Sequence, residues 1–157
     1  MATTKGRIRA ISVSGQKGTP KLNVPEAELR LDHGIVGDAH AGSGHRQVSL
    51  LAAESIERLR AKGLKIVPGD FAENITTEGL DVPSLKVGAK LKIGEQVELE
   101  ISQLGKVCHG RCAVYYRLGD CIMPKEGVFA RVVGGGRIKV GDWIEVTDDQ
   151  SGHSDGQ

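Results

Sequence analysis

The chain has 157 residues, with 21 lysines and arginines against 20 acidic residues, which gives a formal net charge of +1. This near-balance argues against a strongly basic nucleic-acid-binding module and against a polybasic membrane binder. No apolar run approaches the roughly 20 residues of a membrane helix, and the N-terminal residues lack the apolar core of a signal peptide. We therefore expect a cytoplasmic protein that binds neither nucleic acid nor membrane.

The composition predicts a mainly β protein. Glycine accounts for 22 of the 157 residues, about twice its average usage of roughly 7%. Only five residues are aromatic (one Trp, two Tyr, two Phe), so the core must be built from Val, Ile, Leu and Ala. Glycines scattered among short Val/Ile runs predict a β-strand-rich barrel with one or two short helices. We expect a single domain over residues 1–147 and a disordered polar tail over residues 148–157.

The first half of the chain predicts three strands and a helix. The strands are expected at Arg7–Val13, Glu28–Leu31 and Gln47–Leu51. The third strand leads into a helix over about Ala52–Lys62, because apolar residues recur there at helical spacing. Gly63 suits the position just past the end of this helix.

The second half predicts a short strand over Glu73–Thr77 and then a β-hairpin. In the hairpin, Lys90–Ile93 and Gln96–Ile101 alternate between apolar and polar residues around a Gly-Glu turn. The related sequences KVGAKL and KVGDWI predict two similar barrel corners, each turned by a glycine. The glycines 134–136 favour a flexible hairpin turn before Arg137.

The three cysteines, Cys108, Cys112 and Cys121, are an odd number, which argues against a disulfide framework. A cysteine reacts as its thiolate, and nearby cations lower the pKa of a thiol. Three residues close to Cys108 in sequence can supply such charge: Lys106, His109 and Arg111. Buried core thiols, a zinc site that includes His109, and a functional thiol all remain open. The spacing fits no common paired zinc arrangement, so Cys108 is our preferred functional thiol.

Two further segments carry polar residues that could bind a ligand. The glycines of the segment 34–47 could let backbone amides approach a phosphate, with His40, His45 and Arg46 as donors. Composition alone favours an irregular surface loop, since no nucleotide-binding pattern is present. Glu73 and Asn74 could orient a polar ligand, although residues of this kind beside glycine also form ordinary turns.

Taken in order, these segments resemble the MOSC domain, which occurs at the C-terminus of molybdenum-cofactor sulfurases and in small stand-alone bacterial proteins. The resemblance extends from about Ile8 to Val146. Residues 34–50 are similar to the family pattern G-x-x-G-D-x-H…R-Q-V-S-L, and residues 69–79 to G-D/E-F-x-E-N-x-x-x-x-G. Cys108 follows a predicted strand at the place where the family has its characteristic cysteine.

The resemblance implies a barrel-like fold of the pyruvate-kinase-barrel type and a role in molybdenum-cofactor metabolism. The protein is then a sulfur carrier that holds sulfane sulfur as a persulfide on Cys108, with Cys112 as a second catalytic thiol. Five residues are expected to contact the molybdenum cofactor: His40, Arg46, Asn74, Lys106 and Arg111. The expected partners are a cysteine desulfurase as donor and a molybdenum-cofactor enzyme as acceptor. Pyridoxal phosphate belongs to a separate desulfurase domain and is not expected on this chain.

Other functions remain open at this point. The domain could hold the molybdenum cofactor without catalysis, act as a cofactor-dependent reductase subunit, or be a structural zinc protein. Larger family members tend to have a single reactive cysteine, whereas Cys112 and Cys121 follow closely here. The sequence therefore leaves open which thiol carries sulfur.

Overall fold

The structure is a computed structural model that describes residues 5–16, 21–42, 44, 46–63, 65–105 and 126–148. The helical elements that lie wholly within these ranges are the α-helix α1 (Ala53–Arg60) and a short 3₁₀ turn, Val82–Ser84. The same ranges contain the strands β1 Lys5–Val13, β2 Leu22–Val24, β3 Glu26–Arg30, β4 Gly34–Ile35, β5 Val48–Ala52, β6 Ile75–Glu78, β7 Lys90–Ile93, β8 Val97–Leu104, β9 Val128–Gly134, β10 Gly136–Lys139 and β11 Trp143–Asp148.

Seven strands close into a barrel in the order β11-β7-β8-β9-β5-β6-β1. The ring is completed by β1, whose residues Lys5–Arg7 pair with Trp143–Glu145 of β11. Barrel neighbours are antiparallel except β5 and β6, which run parallel and therefore need a crossover connection, supplied here through α1. The strand β2 extends this sheet beyond β1, and β10, β3 and β4 form a separate three-stranded sheet. The prediction of a mainly β barrel is confirmed.

Branched aliphatic residues and alanines fill the barrel interior. Alternation along the strands directs Leu50 and Ala52 inward, and the described interior cluster contains no aromatic side chain. The residue between them, Leu51, points outward and packs under α1 in a second cluster with Phe71 and Phe129. This outer cluster shields one face of the barrel wall, and the candidate site lies on that face. In the described ranges no helix is long and apolar enough to cross a membrane.

Most of the predicted elements are confirmed, with small shifts at their ends. The helix is shorter than predicted, and Gly63 past its end has a φ of 95°. The two predicted glycine corners are also confirmed. Gly88 and Gly141 have φ of 94° and 96°, and they lie just before the neighbouring strands β7 and β11. The strand predicted from Glu73 begins at Ile75. Asp148, predicted as the start of the tail, is the last residue of β11, and residues 149–157 lie outside the described ranges.

The hairpin turn predicted at residues 134–136 is wrong. The chain passes from β9 to β10 through Gly135, and β10 pairs with β3 in the second sheet instead of folding back on β9. A Cβ atom at Gly135 would lie 2.9 Å from the carbonyl oxygen of Leu29. Glycine is therefore needed there because two backbone segments come close together as the chain changes sheets.

Candidate functional site

A row of side chains crosses the outer face of β8, β9 and β5. Gln103 is paired with Phe129, and Phe129 is paired with Ser49. Directly paired residues share one face of a sheet, so these three side chains lie side by side. Asn74, just before β6, continues the row, because its Oδ1 accepts hydrogen bonds from the Ser49 amide at 3.0 Å and the Ser49 hydroxyl at 3.2 Å.

The guanidinium of Arg46 lies over this row. Its Cζ is 5.5 Å from the centre of the Phe129 ring, and its Nε donates a hydrogen bond to Oε1 of Gln103 at 3.2 Å. In the described part of the chain, no carboxylate lies within ion-pairing distance of Arg46, and its two terminal nitrogens have no acceptor. A half-buried arginine with unused donors is a suitable group for binding an anion.

His40 lies next to a buried carboxylate. The side chain of Asp38 is completely buried; its Oδ1 accepts hydrogen bonds from Nζ of Lys21 at 2.8 Å and from the Ser14 amide at 3.0 Å. Its Oδ2 accepts from the His40 amide at 3.0 Å. Burial alone raises the pKa of Asp38, but the nearby His40 imidazole, the hydrogen bond and charge of Lys21, and the Ser14 amide together outweigh it and hold the pKa well below its usual range.

The His40 imidazole is nine-tenths buried, and one of its nitrogens lacks a partner. Its Nδ1 is 3.7 Å from Oδ2 of Asp38, too far for a hydrogen bond, and no other described group reaches it. Buried polar atoms are nearly always paired in folded proteins. This nitrogen is therefore a second group, besides the terminal nitrogens of Arg46, that a bound ligand could satisfy.

A chain of contacts connects Asp38 with a second buried carboxyl group, that of Glu73. The Lys21 amide donates to the Gly69 carbonyl at 2.8 Å, and the Gly69 amide donates to Oε2 of Glu73 at 2.8 Å. Glu73 also accepts from the Phe71 amide at 3.2 Å and the Thr76 hydroxyl at 3.0 Å. Complete burial raises its pKa to about 7, which these hydrogen bonds only partly oppose.

Asn74 is fully buried, and its described hydrogen bonds are all internal. Besides the two bonds from Ser49, its Nδ2 donates to the Ser12 carbonyl at 3.1 Å. These bonds hold the start of β6 between β1 and β5. The predicted contact of Asn74 with a cofactor stays a prediction, whereas its role in positioning strands is visible.

The loop before β5 is anchored to the barrel by one buried side chain. Gln47 is fully buried; its Nε2 donates to Asp32 at 2.8 Å and to the Gly44 carbonyl at 3.2 Å, and its Oε1 accepts from the Val132 amide at 2.9 Å. The described part of this loop is thus tied to β9. Val36, Gly37 and Gly44 are exposed, as expected for a surface loop, but the buried Gln47 holds the adjacent Arg46 against the barrel.

Gly34 is required by close packing in this loop. Its φ is +119°, and a Cβ there would lie 2.6 Å from the Gln47 carbonyl oxygen. We expect Gly34→Ala to lower the free energy of unfolding by about 3 kcal/mol, since backbone strain and a steric clash add. Gly37→Ala is the control: Gly37 has a φ of +89° but nothing within 4 Å of the new methyl group, so about 1 kcal/mol is expected. If urea unfolding showed the same loss of unfolding free energy for both variants, the clash at Gly34 would be contradicted.

The described hydrogen bonds place three predicted site residues, His40, Arg46 and Asn74, along one side of the barrel. Asn74 bonds to β1 at Ser12, and just past the end of β1 the Ser14 amide bonds to Asp38 beside His40. Four predicted site residues lie outside the described residues: Cys108, Cys112, Lys106 and Arg111. The same is true of His109 and Cys121, the other candidates in the cysteine segment. In the described ranges, no three His, Cys, Asp or Glu side chains gather to hold a metal ion.

The sequence did not point to three residues that shape this site: Lys21, Gln103 and Phe129. Lys21 follows Pro20 at the end of a loop, and nothing in the sequence distinguishes it from a solvated lysine. Gln103 could have been noticed as a polar residue at the end of a strand that leads to Cys108.

A separate cleft of about 340 Å³ lies at the other end of β5. It is bounded by the first turns of α1 and by the segment that follows β6, and it contains none of the predicted site residues. Its charged lining side chains are Glu54, Arg58 and Asp81.

The barrel architecture is similar to that of several solved structures. The YuaD protein of Bacillus subtilis is 20% identical, with 90% of this chain and 95% of that chain covered and a TM-score of 0.75. YiiM of Geobacillus stearothermophilus is 19% identical, with coverage of 94% and 77% and a TM-score of 0.71. YiiM of Escherichia coli is 20% identical, with coverage of 90% and 70% and a TM-score of 0.65. At such identities the similarity establishes a shared fold.

The family follows from the sequence itself. The family model of the MOSC domain matches residues 37–145, more than half of the chain, and the chain therefore belongs to the MOSC domain family. MOSC domains are associated with molybdenum-cofactor metabolism. A comparison with curated proteins found no match.

Proposed function

We propose that this MOSC domain carries sulfane sulfur as a persulfide on Cys108 and passes it to an acceptor in molybdenum-cofactor metabolism. The observation that supports the proposal is the half-buried guanidinium of Arg46, whose terminal nitrogens have no acceptor in the described residues. Arg46 is linked through Gln103 to the Gly105 carbonyl, where the chain leaves β8 three residues before Cys108. A persulfide anion and the phosphate of a pterin cofactor are both groups that such a cation would stabilise.

The transfer step conserves atoms and electrons. The Cys108 thiolate attacks the outer sulfur of a persulfide on a cysteine desulfurase, so that a new S–S bond forms at Cys108. The S–S bond of the donor breaks, and the donor cysteine leaves as a thiolate. Lys106 and Arg111 stabilise the new persulfide anion, and Cys112 can accept the sulfur by the same exchange. No external oxidant is needed, which suits the reducing cytoplasm where we place the protein.

The described residues fit an anionic pterin cofactor as acceptor. Among the described residues, the terminal nitrogens of Arg46 have no acceptor, and the buried Nδ1 of His40 has no hydrogen-bond partner. Together with Asn74, Lys106 and Arg111, these two residues would hold the molybdenum cofactor, which when bound supplies a molybdenum centre able to accept sulfur. Arg46 would bind its phosphate, and Asp38, through the His40 amide, would keep the histidine in place.

The test is intact-mass measurement under native, oxygen-free conditions after incubation with a cysteine desulfurase and cysteine. We expect the wild type to gain the mass of one sulfur atom and Cys108→Ser to gain none, because a hydroxyl cannot form a persulfide. Cys121→Ser is the matched control and should gain sulfur as the wild type does. An undiminished gain in Cys108→Ser would overturn the proposed site.

A second candidate function is a module that binds the molybdenum cofactor without carrying sulfur. The unpartnered Nδ1 of His40 favours it, since this atom is suited to a ligand and not to sulfur exchange. In that case, cofactor released from a carrier protein binds the wild type and Cys108→Ser equally, and Arg46→Ala loses binding. If the wild type shows no sulfur gain together with this pattern, the binding module replaces the carrier function.

A further inference from the structure

The amide side chain of Gln103 connects two parts of the candidate site. Its Oε1 accepts the hydrogen bond from Nε of Arg46 at 3.2 Å, and its Nε2 donates to the Gly105 carbonyl at 3.1 Å. The Gly105 amide in turn donates to the Gly127 carbonyl at 2.8 Å. An N–H donor on one side and a carbonyl acceptor on the other require opposite ends of the amide. The orientation of Gln103 is therefore determined by its two partners.

The orientation of the Arg46 guanidinium is determined in the same way. Phe129 is 1% exposed, and its ring centre lies 5.5 Å from Cζ of Arg46, so that the ring restricts the space open to the guanidinium. The hydrogen bond from Nε to Gln103 fixes which edge of the guanidinium faces β8. A free arginine side chain has many rotamers and loses that entropy on binding a ligand, whereas Arg46 is ordered beforehand.

These contacts also select which edge of the guanidinium meets a ligand. Arginine can bind an oxyanion through Nε and one terminal nitrogen, or through its two terminal nitrogens. At Arg46 the Nε proton is already donated to Gln103, while both terminal nitrogens have no acceptor in the described residues. Only the edge formed by Nη1 and Nη2 remains for a bidentate contact.

We propose that Gln103 is a positioning residue that holds Arg46 so that its terminal nitrogens receive a phosphate group end-on. The inference rests on the anion site of the proposed function and adds the residue that orients it and the edge that binds. Gln103 acts through Arg46 and does not touch the phosphate. Because the same amide bonds to Gly105, the orientation of Arg46 is tied to the point where the chain leaves β8.

The first test needs no ligand. NMR measures the exchange of the Arg46 Nε–H proton with water in the wild type, in Gln103→Met and in Gln96→Met, a matched control at an exposed turn position. We expect the proton to exchange at least about tenfold more slowly than that of exposed Arg9 in the wild type and in Gln96→Met. In Gln103→Met we expect this protection to be lost. A wild-type proton that exchanges as fast as that of Arg9 overturns the inference.

The second test uses inorganic phosphate as the probe, with the Arg46 resonance followed during titration. We expect Gln103→Met to weaken phosphate binding by about tenfold, because the guanidinium must be ordered on binding. In an Arg46→Lys background, where Nε is absent, the same change should alter the affinity less than about twofold. Equal losses in the two backgrounds would mean that Gln103 acts elsewhere. No phosphate binding by the wild type also overturns the inference.

Gln103→Glu covers the case in which the methionine variant fails to fold. Its carboxylate still accepts the Nε–H of Arg46 but brings a negative charge to the site. Slow exchange should therefore persist while phosphate binds more weakly than to the wild type, and an affinity equal to that of the wild type contradicts the inference. The proposed carrier function is tested independently of this inference. If Cys108 gains no sulfur but Gln103→Met still weakens phosphate binding at Arg46, the carrier function is wrong and the role of Gln103 stands.

Discussion

Replacing Lys21 with methionine is expected to lower the free energy of unfolding by about 3–5 kcal/mol, because the Asp38 carboxylate then stays buried without a counter-charge. Both side chains of the pair are 0% exposed, and their atoms are 2.8 Å apart. Water cannot replace the lost ammonium group in so enclosed a position. Denaturant unfolding at neutral pH measures the loss.

The control for Lys21→Met is an exposed ion pair of the same protein. Arg137 and Glu26 are 3.1 Å apart, but their side chains are 59% and 49% exposed. Arg137→Met should therefore cost less than about 1 kcal/mol. In the double variant Lys21→Met/Asp38→Asn, part of the loss should return because the uncompensated charge is gone. A loss in Lys21→Met as small as that in Arg137→Met would show that the pair is not the constraint we describe.

The pH range over which the Lys21–Asp38 pair stabilises the folded protein follows from the pKa of Asp38. Its pKa is lowered in the folded protein, so the stabilisation is fully present above the unfolded pKa of about 3.8. The stabilisation is lost as pH falls through the folded pKa. In Lys21→Met the Asp38 carboxylate has lost its counter-charge, so burial raises its pKa and it takes up a proton at a higher pH than in the wild type. We therefore expect the difference between wild type and Lys21→Met to be largest at neutral pH and above, and to shrink as the solution becomes acidic.

Glu73 should make the protein lose stability as pH rises towards neutrality. Its pKa is raised from 4.5 in the unfolded chain to about 7 in the folded protein. Between these two values the unfolded state has lost the proton that the folded state still holds, so raising the pH favours unfolding. The expected loss from Glu73 across this range is about 3 kcal/mol, after which the curve is flat.

Glu73→Gln isolates this effect, because an amide does not titrate. The substitution has its own cost, since Glu73 accepts from the Gly69 and Phe71 amides and the Thr76 hydroxyl, but that cost does not change with pH. Urea unfolding of both proteins over a pH series gives the difference curve, in which contributions shared by the two proteins cancel. Parallel curves from about pH 4.5 to pH 7 would show that Glu73 is not protonated in the folded protein.

Local pattern in the sequence was sufficient for much of the fold. The Lys90–Ile93 strand and its hairpin partner are recognisable because side chains alternate on a half-buried sheet. The junction of β5 with α1 is recognisable because the spacing of apolar residues along the chain changes at Ala52, from every second residue to every third or fourth. Gly135 shows the limit: a glycine in a turn and a glycine between two crossing backbones look the same in sequence, because the neighbour is Leu29, more than a hundred residues away.

The candidate site was predictable only in part, for a related reason. Arg46 and His40 could be named from the types and order of residues in their segment. The groups that fix them lie far along the chain, and a lysine such as Lys21 is ordinarily solvated. Its burial is a property of the closed barrel and the loops on it. Likewise, the bond from Arg46 to Gln103 depends on the register of β8 against β9, which no local pattern encodes.

The pairing of β1 with β11 has a consequence for how the protein is made in the cell. Residues Lys5–Arg7 leave the ribosome long before the strand that pairs with them, which begins at Trp143. Until then the nascent chain has an open strand edge to which another polypeptide could add. Contacts between such distant residues also form slowly, because a long loop must close. The barrel should therefore close only after β11 has been synthesised. A chaperone that binds the nascent chain before that point would bind an open sheet.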